Sequence, residues 1–197
     1  RDSRINRIFE GTNEINRLLS VGMLLKRAGQ GRLDLMGSVT ALLGDIMQGD
    51  VGEAPGDGPL DAERDLAGRV RKVALLSLGL AFQRFGTELE KEQEVVTALA
   101  DLVMTLYSME SVVLRAGDAN AQGRTEPASS IACVVASDGI AAAARSAEVV
   151  LAATVQGPKL EEYHGVLRRL TRIGPADTIA ARRRIATRLL EAGKYVV

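Results

Sequence analysis

Tryptophan is absent, aromatic residues make up 3% of the 197-residue chain, and there is one cysteine and one histidine. A single Cys133 cannot close an internal disulfide, so a disulfide-stapled scaffold is excluded. It lies among Ile131, Ala132, Val134 and Val135, where it reads as a small core residue, and such usage fits a reducing compartment. His164 has no second His and no Cys near it in sequence, which leaves no metal-ligand set. Neither charge dominates: Lys plus Arg and Asp plus Glu each number 25, so nothing in the balance points to a nucleic-acid partner. No uninterrupted apolar run reaches the length of a membrane span, and no signal peptide is recognisable. Strand-like alternation, a repeat at fixed period and a phosphate-loop G-x-x-x-x-G followed by Lys-Ser or Lys-Thr are also missing.

With so few rings the core has to be aliphatic. Hydrophobic residues form 46% of the chain, and the abundance of Ala, Leu, Val and Arg leans to helix. The expected fold is all-α: an up-and-down helical bundle preceded by a helical segment that carries an acidic loop. That loop is I-F-E-G-T, Ile8 to Thr12. Two apolar residues, Ile8 and Phe9, precede Glu10, and then come Gly11, which allows close approach to the backbone, and Thr12, suited to cap a helix from Asn13 to about Ala28. Pressed against Ile8 and Phe9, Glu10 would be partly desolvated, which suits a carboxylate to take a proton from carbon near neutral pH.

Further along, an apolar-periodic stretch runs from Leu33 toward Met47. It ends in Q-G-D-V-G-E-A-P-G-D-G-P, a turn-rich linker over 48–59. The expected division is therefore 1–47, the linker, and a helical body over 60–197. Asp61 or a neighbour should cap a third helix reaching Gly86. Val95, Leu99, Leu102, Leu106, Met109 and Val113 then repeat at four-three-four spacing, the seam of a bundle helix, expected to end near Gly117. Glu126 and Pro127 should start a fifth helix, with Ser129 and Ser130 in its first turn and Ile131, Val134, Val135, Ala142, Val149 and Val150 inward. Helices over about 159–173 and 176–192 complete the body. Arg168 with Arg172, and Arg184 with Arg188, sit one turn apart opposite Leu167, Leu170, Ile173, Ile179, Ile185, Leu189 and Leu190. This patterning suits either a solvated bundle face or contact with anionic lipid headgroups.

The opening stretch R-D-S-R-I-N-R-I-F-E-G-T-N-E-I-N-R-L-L, Arg1 to Leu19, resembles the segment of acyl-CoA dehydrogenases that carries their catalytic glutamate. Glu90 to Ala116, E-K-E-Q-E-V-V-T-A-L-A-D-L-V-M-T-L-Y-S-M-E-S-V-V-L-R-A, resembles the added C-terminal domain of the very-long-chain type. The resemblance implies an FAD-dependent α,β-dehydrogenation of a fatty acyl-CoA to the trans-2-enoyl-CoA. It places Glu10 as the base, Gly11 beside the acyl thioester, and Thr12, Asn13 and Glu14 against FAD. Electron-transfer flavoprotein is the implied partner, the enzyme is expected to be a homo-oligomer with peripheral membrane contact as a further expectation, and no nucleic acid or metal enters. The expected location is the cytoplasm or the inner face of a membrane, on the matrix side in a mitochondrion. The chain opens in mid-motif without Met, so Arg1 is expected to be a cut, and the isolated fragment is expected to be inactive and free of FAD. The other function that fits is a non-catalytic helical module for subunit, partner or membrane association. Sequence upstream of Arg1 would separate the two.

Overall fold

The computed structural model describes residues 2–49 and 55–194. The middle of the expected linker and Arg1 lie outside the described residues. Among those described there are seven α-helices and no strand: α1 Asn13–Gly29, α2 Leu35–Met47, α3 Asp61–Phe85, α4 Gln93–Ala121, α5 Thr125–Thr154, α6 Pro158–Thr171 and α7 Thr178–Ala192, with short 3-10 helices at Asp2–Arg7 and Gly86–Lys91. The all-α expectation holds.

The core is the trio α3, α4 and α5, with α6 against α5 and α3, α7 against α5, α1 against α4, and α2 against α3. From α3 onward, short connections between consecutive helices give the up-and-down course. On α4 the predicted seam is buried along nearly its whole length, with Leu102 fully enclosed and Leu99, Met109 and Val113 close to it. Each such aliphatic side chain contributes about 1.5–3 kcal/mol on burial. Val21, Leu35 and Leu42 from the first two helices join this same core.

Several boundaries and faces differ from expectation. Asp61 is the first residue of α3 rather than its cap; the cap position is Leu60, at φ 66°, and the Asp61 carboxylate instead accepts from the Gly58 amide at 3.1 Å and from Arg64 at 2.8 Å. Helix α4 does not stop at Gly117 but continues to Ala121. Burial explains this, because Ala116 and Ala119 close a small second core with Leu60, Ala128 and Ala132.

The inward face of α5 is the larger revision. Val149 is 51% exposed, and the fully buried positions are mostly small: Ala128, Ala132, Ala136, Gly139, Ala143 and Ala147, with Ile140 and Val150. Small residues let α4 approach closely; a Cβ on Gly139 would stand 2.5 Å from the Met109 sulfur. Helix α2 begins two residues later than its apolar pattern suggested, because Asp34 caps it through the Gly37 amide at 2.9 Å. By length and mean hydropathy α4 and α5 could each cross a membrane, contrary to the reading of uninterrupted runs, yet their apolar faces pack within the bundle.

Polar groups tie the outer helices down. Ser130, buried on α5, donates to Glu126 Oε2 at 2.9 Å and accepts from Arg184 Nε at 3.1 Å. Arg182 reaches Asp138 at 2.6 Å, and Arg69, bound to Asp65, also donates to the Arg172 carbonyl at 2.7 Å. No buried side-chain polar atom among the described residues lacks a partner, consistent with the cost of leaving one unmade.

Candidate functional site

The acidic turn stands between the 3-10 helix and α1. Ile8 and Phe9 both bond back to the Ile5 carbonyl, at 2.9 and 3.0 Å, which closes the 3-10 helix and turns the chain. Glu10 then adopts φ 61° and Gly11 φ 91°. Glycine tolerates this region, but a glutamate there is uncommon and costs energy, a feature that clusters at functional turns. Two side chains brace the turn. Thr12 caps α1 by accepting from the Ile15 amide at 3.5 Å, and Asn16 donates from Nδ2 to the Gly11 carbonyl at 2.9 Å. A Cβ at Gly11 would meet Asn16 Oδ1 at 2.8 Å, so both the positive φ and the bracing side chain require glycine.

The structure thus brings Glu10, Gly11, Thr12, Asn13 and Glu14 together on one edge, with Glu10 and Glu14 exposed and the three between them half-buried. Glu10 is exposed, and so is Phe9 at 60%; the apolar shielding expected from Ile8 and Phe9 is absent because no described element packs over them. The first-turn amides of Asn13 and Glu14 have no carbonyl one turn earlier, as at any helix N-terminus, and face the same edge. Donors of this kind suit a polar or anionic group of a cofactor, so the residues present fit one wall of a flavin site. The remaining walls are not formed by the described residues.

Helix α1 is held in place by Arg17, whose Nε donates to Asp101 of α4 at 2.7 Å. Its outward stripe, Ile15, Leu19 and Met23, is nevertheless apolar and exposed, Leu19 at 59%. Sequence reading missed Asn16 and Arg17 as supports of the loop. Their local signals, an amide side chain within a turn of a glycine and an arginine on a helix face, are too common to single them out.

Among the other candidates, Cys133 is partly buried and free, His164 is partly buried on α6, and no group of His, Cys, Asp and Glu that could hold a metal occurs among the described residues. Arg168 and Arg172 are exposed, whereas Arg184 lies 4.0 Å from Glu126 and Arg188 4.0 Å from Glu191. Ile179 and Leu190, expected inward, face out, Leu190 at 82%.

A helical bundle led by a capped, strained acidic turn defines the class: an all-α domain with an exposed carboxylate at its edge. Comparison with known proteins makes this specific. Residues 69–169, just over half of the chain, match the family model described as acyl-CoA dehydrogenase, C-terminal domain. All of the chain aligns at 38% identity with a probable acyl-CoA dehydrogenase of Bacillus subtilis (strain 168), of which it covers 34%. It also superposes, with a TM-score of 0.94, 38% identity and full coverage, on 34% of an acyl-CoA dehydrogenase complexed with FAD from Bacillus anthracis. The chain belongs to the acyl-CoA dehydrogenase family and spans about a third of the length of these relatives.

Proposed function

We propose that this chain is the C-terminal part of an FAD-dependent acyl-CoA dehydrogenase that converts fatty acyl-CoA to trans-2-enoyl-CoA, with Glu10 removing the α proton. The observation that carries this reading is the Glu10 backbone, held at φ 61° on an exposed turn directly ahead of a capped helix. A carboxylate on such a turn is presented clear of its own helix, where a thioester placed beside Gly11 brings its α carbon within reach. A carboxylate is strong enough because the thioester carbonyl stabilises the enolate. FAD supplies the hydride acceptor. Thr12, Asn13 and Glu14 hold the cofactor from the N-terminus of α1.

The uncovered stripe of Ile15, Leu19 and Met23, with Phe9 beside it, supports the same reading, since contiguous exposed apolar surface marks a contact site and the greater part of the enzyme would cover it. In this reading residues 1–47 end the catalytic helical domain, 48–59 link, and 60–197 form the C-terminal extension of the very-long-chain type. Electron-transfer flavoprotein takes the electrons, the enzyme is a homo-oligomer, and it works in the cytoplasm or at the inner face of a membrane, on the matrix side in a mitochondrion. The test is anaerobic addition of a fatty acyl-CoA to the intact protein: flavin absorbance falls and trans-2-enoyl-CoA appears, while the isolated 197-residue chain stays colourless and inactive. Retention of flavin colour without product, in the intact protein, would overturn the assignment.

A second, non-catalytic role is favoured by the outer side of α6 and α7. Arg168, Arg169, Arg172 and Arg183 are exposed there, together with Ile179 and Leu190, a combination that suits an anionic lipid surface. Each arginine near such a surface contributes about 1 kcal/mol. Replacing Arg168, Arg169, Arg172 and Arg183 with Gln should then weaken cosedimentation with anionic vesicles by orders of magnitude. Equal, low binding to neutral and anionic vesicles before and after substitution would leave these helices as a solvated bundle face.

A further inference from the structure

Helix α1 is lightly docked at the end that carries the acidic turn. Val21 is its one fully buried residue, and Glu14, Ile15 and Asn16 near its start are exposed. Arg17 makes the first polar contact from α1 to another helix, its Nε donating to Asp101 Oδ1 of α4 at 2.7 Å. That acceptor is firmly mounted: Leu99, Ala100 and Leu102, beside Asp101 on α4, are all buried in the core.

The acidic turn travels with α1. Asn16, next to Arg17, donates to the Gly11 carbonyl at 2.9 Å, and Thr12 accepts from the Ile15 amide at 3.5 Å. Both bonds fix the turn to the helix, so the turn is placed on the bundle by way of α1. Arg17 lies about 6 Å along that helix from Asn13, and a tilt of the helix end there carries Gly11 and Glu10 with it. The Glu10 backbone at φ 61° persists only while its surroundings over-determine it. The Arg17 and Asp101 side chains are 28% and 38% exposed, and a pair so open to water contributes little to stability. Misplacing a reacting group by about 1 Å, in contrast, costs about a hundredfold in rate. Geometry is therefore where this pair has its effect.

We propose that Asp101 is a positioning residue for the dehydrogenation: through Arg17 it fixes the start of α1, and through Asn16 the Gly11 carbonyl, so that Glu10 stays aligned with the α carbon. This rests on the role proposed for Glu10. It gives the C-terminal bundle a part in the reaction without contact to substrate or flavin.

The test is anaerobic stopped-flow flavin reduction by a fatty acyl-CoA in the intact protein, with hydrogen exchange over residues 8–16 measured alongside. Asp101→Ala and Arg17→Ala should each slow reduction at saturating acyl-CoA by about tenfold to a hundredfold, with FAD content and the half-saturating acyl-CoA concentration unchanged. The double variant should be no slower than either single one, because both remove the same contact. Asp101→Asn keeps an oxygen for Arg17 Nε and should recover most of the rate. The Ile15 and Asn16 amides, which bond to Thr12, should exchange faster in Asp101→Ala than in the parent. The parent rate per bound flavin in both single variants would overturn the proposal, whether or not the unfolding temperature falls, and so would additive losses in the double variant. Should the parent itself fail to reduce its flavin, the dehydrogenase reading falls, and the exchange comparison decides whether Asp101 holds the turn; unchanged exchange in Asp101→Ala would then overturn that too.

Discussion

Glycines at the helix crossings show how single residues set this packing. Gly79 of α3 faces Val39 of α2, and a Cβ there would stand 2.5 Å from Val39 Cγ1. Val39 is buried and β-branched, hence stiff. Gly79→Ala should therefore destabilise the chain by about 1–3 kcal/mol through overpacking. Gly68, about three turns earlier on α3, has nothing within 4 Å of its Cβ position, so Gly68→Ala should stabilise by about 0.4–1 kcal/mol by reducing unfolded-chain entropy. Urea midpoints of the two variants, moving in opposite directions, are the check. Sequence does not separate these two glycines, because the difference lies in what a second helix places opposite each. The acidic turn was more legible. The order Glu10, Gly11, Thr12 indicates a turn and then a cap, and the cap is there; the positive φ at Glu10 is not legible, since glutamate has no preference for that region and is held in it by its surroundings.

At the scale of elements, legibility followed side-chain size. The α4 seam could be read because large aliphatic residues recur at bundle spacing, and those residues are the ones buried. On α5 the inner face is alanine and glycine, residues as common outside as inside, so the larger Val149 drew the wrong face inward. Leu102→Ala should cost about 2–5 kcal/mol, as fully buried leucines do, whereas Val149→Ala should lie within about 0.5 kcal/mol of the parent. Thermal and urea unfolding of both variants would measure this contrast. A comparable loss at Val149 would mean that this side of α5 is covered. Caps followed the same logic: Asp34 and Asp177 cap through the residue three ahead, at 2.9 Å each, in the ordinary local pattern. Helix α3 instead starts from Leu60 in the left-handed region, a start that depends on burying that leucine between other helices and has no local signal.

For the whole molecule, what sequence showed was the helical class, the order of most helices and the stretch that carries the family likeness. It could not show that α1 would keep an apolar stripe in solvent, or that Phe9 would stand uncovered, because exposure is decided by which elements pack over a residue and not by the residue itself. The bundle is satisfied internally and carries on one edge a strained carboxylate and an uncovered apolar face. The proposed function requires that the intact enzyme complete a flavin site around Glu10 and use it as the base. The direct measurement is stopped-flow, anaerobic flavin reduction by acyl-CoA in the intact protein and its Glu10→Gln variant. The amide keeps the shape of the side chain but cannot take a proton, so the variant should retain FAD and bind acyl-CoA while flavin reduction slows by several orders of magnitude. Reduction within about tenfold of the parent rate would contradict the account.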